Sequence, residues 1–298
     1  IAVVIGTSTS GIAEGEAALK HQAEHGRWPE GYSYAKQEMV APADFIAYWS
    51  GVTGPCYAIS TACSSSARAF ISARALLLAG AADAVIVGGV DSLCQLTLNG
   101  FSALESLADG LCLPFSANRS GINIGEGAAL FLMEKASNGI QLLGAGAASD
   151  AHHMSAPHPE GLGAELAIRK ACQQANISVE QLDYINLHGT ATVLNDLMEA
   201  KVLYRLGAAN VPASSTKALT GHTLGAAGAI EAALCWLTLS ELNTDQSLIP
   251  HCSDEQLDPE LASLNFVVKG INKNSQYCLS NSFAFGGNNV ALILGKNI

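Results

Sequence analysis

Charge is scarce in this sequence. Of 298 residues only 14% are Asp, Glu, Lys or Arg, and 15 basic residues face 26 acidic ones for a formal net charge of −11. No run of Lys or Arg forms a stripe, which excludes a nucleic-acid partner, because backbone phosphates call for clustered cations. Long apolar runs are missing too. Stretches such as "ADAVIVGGV" are interrupted by Gly or Asp, well short of the roughly 18 to 20 residues that a membrane span needs. The eight cysteines (56, 63, 94, 112, 172, 235, 252 and 278) contain no Cys-x-x-Cys pair and no short-loop framework. They read as reduced thiols in a cytoplasmic compartment. The opening "IAVVIGTSTSG" has no basic start, so a strand and loop are expected there rather than a signal peptide. It lacks an initiator Met as well, and the expectation is a fragment of a longer protein.

What is plentiful is apolar surface, at 49% of residues. That is enough for a large core in a chain of this length, with some surface left for an oligomer. Short β-rich runs ("AVVIG", "AVIVGGV", "AALFLME", "DYINLH", "YCLSNSF", "NVALILG") alternate with Ala-rich helical runs at 64–79, 165–176, 196–206 and 224–241. The alternation predicts an α/β fold with largely parallel or mixed sheets covered by helices. A weak repeat accompanies it. "ISTACSSSARAFISARALLL" and "SSTKALTGHTLGAAGAIEAALCWLTL" share one grammar of strand end, polar turn and Ala-rich helix. Two similar halves are expected, 1–136 and 137–298.

Cys63 falls at the start of the first of those helices, in "AISTACSSSARAF", with Gly80 as the stop. Unpaired N–H groups and the helix dipole there favour an anion, and such a position lowers a thiol from about 8.5 toward neutrality. The alternative is a helix start capped by its serines. His188 ends the strand-like "DYINLH", and strand C-termini are where open α/β sheets place ligands. His222 lies in a polar loop before a Gly/Ala-rich helix, five residues after Lys217. Gly286 and Gly287 in "NSFAFGGNNVALIL" allow a bend that bulkier residues resist. Together they supply a thiol nucleophile, able to attack an acyl carbonyl, and two imidazoles at strand–turn–helix junctions, or each is a satisfied loop residue.

Five motifs, in order along nearly the whole chain, then resemble one family. "STACSSS", "PFSANRSGINIGEGAA", "LHGTAT", "STKALTGHTLGAAGAIE" and "NSFAFGGNN" are similar to the β-ketoacyl synthases, the decarboxylating condensing enzymes of fatty acid and polyketide assembly. The resemblance implies a thiolase-like fold, layered αβαβα with mixed sheets. It implies that Cys63 accepts the acyl chain and that His188 and His222 promote malonyl decarboxylation and steady the enolate. Lys217 and Glu231 would support the histidines from beneath, and Phe285 would gate the site and lend its N–H, with that of Cys63, to an oxyanion hole. Thr190 and Thr192 would contact the phosphopantetheine arm, and Phe283, Gly286 and Gly287 would flank it. The implied partners are an acyl carrier protein and a second, identical or related subunit; the phosphopantetheine arrives on the substrate, and no cofactor is implied. His152, His153 and His158 suggest a metal site in isolation, but in the family pattern their stretch is a loop beside the active site, so no metal is expected.

Three departures carry expectations of their own. The family has on the order of a hundred further residues ahead of "VVIGTSTSG", among them a strand implied to lie centrally in the first sheet. Ser120 stands where an acid usually follows the arginine, implying a weakened ion pair for Arg119. The acidic balance implies that carrier docking needs a local basic patch, placed near Arg68 and Arg205. Two other readings were weighed. A thiolase would carry a second cysteine in a Cys-x-Gly setting, whereas Cys278 is followed by Leu279 and Ser280. A non-catalytic partner, of the kind that sets chain length in a heterodimer, typically lacks the cysteine.

Overall fold

The structure is a computed structural model that describes residues 1–296. Its first part runs β1 (Ala2–Gly6), α1 (Ile12–His25), α2 (Ala41–Ser50), β2 (Cys56–Ile59), α3 (Ser65–Leu78), β3 (Ala84–Asp91), α4 (Gln95–Ala103) and β4 (Gly127–Glu134). The second runs β5 (Ile140–Ser149), α5 (Leu162–Ala175), β6 (Tyr184–Asn186), α6 (Val193–Arg205), β7 (Ala213–Ser214), α7 (Lys217–Thr220), α8 (Ala227–Leu239), β8 (Tyr277–Ala284) and β9 (Asn288–Lys296).

Every residue of β1 is buried, as its unbroken apolar run requires of a strand covered on both faces. It pairs in parallel with β2 and β3, and β4 closes the row antiparallel in the order β2-β1-β3-β4. The second sheet has the order β7-β6-β8-β9-β5, with β9 antiparallel to both neighbours. The two orders superpose strand for strand as far as β4 and β9. In the second sheet β5 then occupies the edge, and α5 packs over β5 and β9; in the first, no strand among the described residues pairs beyond β4.

This alignment corrects one expectation. The four strands of the first sheet pair in an unbroken series, so no place stands open at its centre. The position matching β5 is the outer edge of β4, where Leu130 and Leu132 are 50% and 61% exposed.

Helices α3 and α8 lie between the sheets. Ala67, Phe70, Ala73 and Leu77 of α3 share one core with Ala229, Ala232 and Leu239 of α8, and strands of both sheets complete it. Outside, α2 covers the first sheet, and α5 and α6 cover the second. The result is five layers, α-β-α-β-α, a thiolase-like arrangement. Small residues let the two central helices touch. A Cβ added to Gly228 would lie 2.7 Å from both the Cβ and the backbone N of Ala67. Gly228→Ala is therefore expected to destabilise the protein by about 1–3 kcal/mol through overpacking. Gly100→Ala in α4, where the new methyl meets nothing within 4 Å, should instead stabilise it by up to ~1 kcal/mol. Urea titration of both variants checks the contrast, and equal midpoints would overturn the account of the α3–α8 crossing.

Candidate active site

The turn from β2 into α3 presents Cys63. Ala62 adopts the left-handed region (φ 52°), a conformation that costs a non-glycine residue of order 1 kcal/mol and that recurs at functional turns. The serines do not cap the helix. Ser64 and Ser65 donate their hydroxyls back to the carbonyls of Thr61 (2.9 Å) and Ala62 (2.6 Å), and no side chain accepts from the first amides of α3. The predicted low thiol pKa is not met, however. Burial pushes Cys63 up to about 12, outweighing the pull of the nearby Lys217 ammonium and of its own backbone N–H. Cys63 rests as a thiol.

A proton acceptor is in contact with it. His222 Nε2 lies 2.9 Å from Cys63 Sγ. Main chain from the first part of the molecule fixes that histidine: its N–H donates to the Asn123 carbonyl (2.7 Å) and its carbonyl accepts from the Gly125 N–H (3.0 Å). His188 follows β6. The Glu199 carboxylate grips its turn, accepting from the N–H groups of His188 (2.9 Å) and Gly189 (2.8 Å) and from Asn281 Nδ2 (3.0 Å). The two imidazoles stand perpendicular with centroids 5.5 Å apart. Burial, and then the Lys217 charge, hold both well below the ordinary histidine range, so both are neutral. Behind them Lys217 Nζ and Glu231 Oε1 form an ion pair of 2.5 Å, 1% and 3% exposed.

Cys63, His188, His222, Thr190, Thr192, Phe283 and Phe285 all line one cavity of about 380 Å³. Phe283 meets the His188 ring edge-on at 5.9 Å, the Phe285 ring lies 5.6 Å from Phe101, and the Thr190 and Thr192 hydroxyls bond each other at 2.9 Å. Lys217, Glu231, Gly286 and Gly287 stand off the cavity wall. The glycines shape the turn instead: both have positive φ (76° and 72°), and Gly286 N–H donates to the Met154 carbonyl (2.7 Å).

Sequence reasoning did not find several buried groups around this site. Glu199 is one. His251 is another: it is held near 4 by burial and bonds both parts of the chain. Asp196, raised by burial to about 7, accepts the Phe115 N–H at 2.8 Å. None of the three sits in a motif with an unusual local pattern. Two expectations are also corrected. Arg119 does not depend on position 120, because its Nη1 pairs with Asp258 Oδ2 at 2.6 Å. Arg205 is no free docking cation, because Glu165 and Glu160 hold its guanidinium, and Arg68 is half-buried. Among the described residues no group of three or more His, Cys, Asp or Glu side chains converges on a metal position. The His153 Nδ1 accepts amides of its own loop, from Ser155 and Ala156. Buried side-chain oxygens without a hydrogen-bond partner are Asn186 Oδ1, Glu231 Oε2, Ser280 Oγ, Asn281 Oδ1 and Ser282 Oγ.

Fold and site together place the chain in the thiolase-like class. The family model for the β-ketoacyl synthase N-terminal domain matches residues 1–138 and that for the C-terminal domain residues 140–248, so the chain belongs to the β-ketoacyl synthase family. It is 32% identical to 3-oxoacyl-[acyl-carrier-protein] synthase 2 of Staphylococcus aureus, over 99% of this chain and 75% of that one. It is 35% identical to a Schizosaccharomyces pombe protein named as a mitochondrial 3-oxoacyl-[acyl-carrier-protein] synthase, spanning 65% of that protein's length. Among solved structures it is similar to a ketosynthase in complex with its chain length factor from Xenorhabdus doucetiae, with TM-score 0.94 and 47% identity over 99% of this chain and 74% of that chain. A β-ketoacyl synthase from Burkholderia phymatum gives TM-score 0.89 at 27% identity, over 100% of this chain and 75% of that chain.

Two measurements probe the site's electrostatics. Lys217→Met leaves the Glu231 carboxylate buried without its partner and should cost about 3–5 kcal/mol, much of which Lys217→Met/Glu231→Gln should restore. Denaturant melts of the single and double variants check this. Because the folded Cys63 pKa is raised, its thiolate fraction keeps growing through the alkaline range. Alkylation of Cys63 by iodoacetamide should accelerate about tenfold per unit from pH 7 to pH 10, and a plateau near pH 7 would contradict the buried-thiol assignment.

Proposed function

We propose that the protein catalyses decarboxylative Claisen condensation of an acyl thioester with malonyl-acyl carrier protein, giving a 3-oxoacyl-acyl carrier protein. The observation that carries the reading is the 2.9 Å contact of Cys63 Sγ with a neutral His222. In the first stage Cys63 attacks the acyl carbonyl as its proton passes to His222 Nε2. The N–H groups of Cys63 and Phe285 hold the oxyanion, and collapse releases the carrier's thiol, which takes the proton back. Transfer during attack suits a thiol that burial keeps protonated.

In the second stage the malonyl thioester enters past Thr190 and Thr192. Its carboxylate leaves as CO₂, and the electron pair left behind forms an enolate. A ring N–H of His188, and that of His222 once its proton sits on Nε2, stabilise the enolate oxygen. The enolate carbon then attacks the acyl group on Cys63, and the thiolate departs and takes up from solvent the one proton that the overall reaction consumes. Lys217 and Glu231 act from behind, as a compensated charge pair that supports the imidazoles.

The same reading supplies partners. The carrier protein delivers both thioesters; a type II polyketide ketosynthase structure similar to this chain (TM-score 0.86, 25% identity) is itself described in complex with an acyl-carrier protein. A second ketosynthase-fold subunit, identical or related, would pair along the free edge of β2. Beside that edge α2 exposes Phe45, Tyr48 (89%) and Trp49 (79%). No described helix is long and apolar enough to cross a membrane, and eight free thiols suit a reducing, cytoplasm-like compartment.

The similarity to a ketosynthase–chain length factor complex makes a non-catalytic subunit the competing reading. Intact-protein mass spectrometry after incubation with a medium-chain acyl carrier protein separates the two. One acyl adduct on the wild type that is lost in Cys63→Ala supports the synthase. An unmodified, folded wild type supports the non-catalytic subunit.

A further inference from the structure

His251 lies outside every motif discussed, on the loop between α8 and β8. It is 8% exposed, stacked on Phe266 (centroids 4.4 Å, 21° between planes), and edge-on to Phe115 at 6.0 Å. Both ring nitrogens are used. The Ser215 N–H donates to Nδ1 at 3.2 Å, so Nδ1 carries no proton, and Nε2–H donates to the Pro114 carbonyl at 3.1 Å. One neutral tautomer satisfies both bonds; an imidazolium would set N–H against N–H.

What His251 holds matters more than how it is held. The Ser215 hydroxyl donates to the Gly189 carbonyl at 2.6 Å and accepts the Lys217 N–H at 3.3 Å. It is thus joined both to the turn that carries His188 and to the start of α7. Gly189 has φ +35°, and a Cβ there would lie 2.6 Å from Ser215 Cβ and 2.9 Å from Phe115 Cε2. Besides the Glu199 clasp, the turn packs on Ser215 and Phe115, and His251 touches both. The link to α7 ends at the Lys217 N–H; beyond α7, His222 itself is held by main chain through Asn123 and Gly125, and Cys63 by the β2–α3 turn.

We propose that His251 is a positioning residue for His188, acting through Ser215 to set the decarboxylation stage independently of acyl transfer to Cys63. The proposal rests on the condensing reading above. Its conservative variant is His251→Asn, whose amide oxygen takes the place of Nδ1. Its disruptive variant is His251→Leu, which fills the volume without an acceptor, and Ser215→Ala cuts the same linkage should the leucine variant fail to fold.

The experiment measures two half-reactions for each folded variant: acyl adduct on Cys63 by mass spectrometry, and CO₂ release from malonyl-carrier protein. A sub-ångström displacement of His188 should slow CO₂ release about tenfold in His251→Leu and Ser215→Ala. Acylation should remain within about twofold, and His251→Asn should stay near wild type in both. Equal losses in both half-reactions, or none, would overturn the proposal. The ¹⁵N signals of the histidine rings supply a readout free of activity: the His188 resonances should move in the disruptive variants while those of His222 stay. Wild-type protein that neither acylates nor releases CO₂ would remove the condensing function, and unmoved His188 resonances would then remove the positioning role separately.

Discussion

The close approach of two helix starts is the constraint on which the molecule depends. Helices α3 and α8 start over Gly89 of β3, where a side chain larger than hydrogen cannot fit: a Cβ there would lie 2.5 Å from Ser66 Cβ in α3 and 3.0 Å from Ala226 Cα just before α8. Ser66 Oγ then accepts the N–H of Ala229 at 2.8 Å, tying the two helices together with a bond that neither could make alone. Cys63 precedes one helix and His222 the other. Their 2.9 Å contact is a consequence of this packing, and two loops free to move independently would not maintain it.

The same burial that makes the contact sets its electrostatics. Desolvation raises the thiol and lowers both imidazoles, so the resting site holds three neutral reactive groups. Lys217 would disturb that balance if it stood alone. Its pairing with Glu231 delivers a local dipole in place of a bare charge, and the pair survives burial only because its geometry is good. A neutral, preorganised pocket suits a reaction in which charge arises first on a tetrahedral oxygen and then on an enolate, since fixed N–H dipoles act most strongly in a low dielectric.

How much of this the sequence discloses depends on the kind of signal. Ala-rich helices with strong local preference are legible: 64–79 was expected and Ser65–Leu78 is found, and 196–206 corresponds to Val193–Arg205. Helices α2 and α7 fall outside the helical runs named from the sequence, and so do α1 and α4. Helix α1 buries only Gly15 and Ala18 and α4 buries no residue, so neither carries an apolar stripe to read. The two-residue strand β7 exists only through its pairing with β6. In the site, residues at junctions with unusual local grammar (Cys63, His188, His222, the Gly286–Gly287 turn) stand out. Glu199 and His251 do not, because their importance lies in partners distant along the chain or on another element: Glu199 lies eleven residues beyond His188, and Pro114 is bonded by His251 across 137 residues. The thiol pKa was misjudged for a related reason. Helix position is visible in sequence and lowers it, whereas the depth of burial is a property of the assembled layers and raises it more.

The likeness of the two sheets explains how one site gathers its groups. β2 leads into α3 and β7 leads, through α7 and a longer turn, into α8, so Cys63 and His222 occupy matching places before matching helices. β1 and β6 match in the same way, and an acidic residue clasps the chain after each: Asp91 accepts the N–H groups of Ser8 and Thr9 (2.8 Å each), and Glu199 those of His188 and Gly189. The clasp is the same device, but its cargo differs. After β1 it fixes a run of hydroxyl residues, Thr7 to Thr9, beside the α8 start; after β6 it fixes an imidazole facing the thiol. One architecture used twice thus supplies rigid turns on both sides of a single cavity. The divergence of a few residues on those turns turns a symmetric scaffold into an asymmetric site, with the nucleophile on one side and both imidazoles on the other.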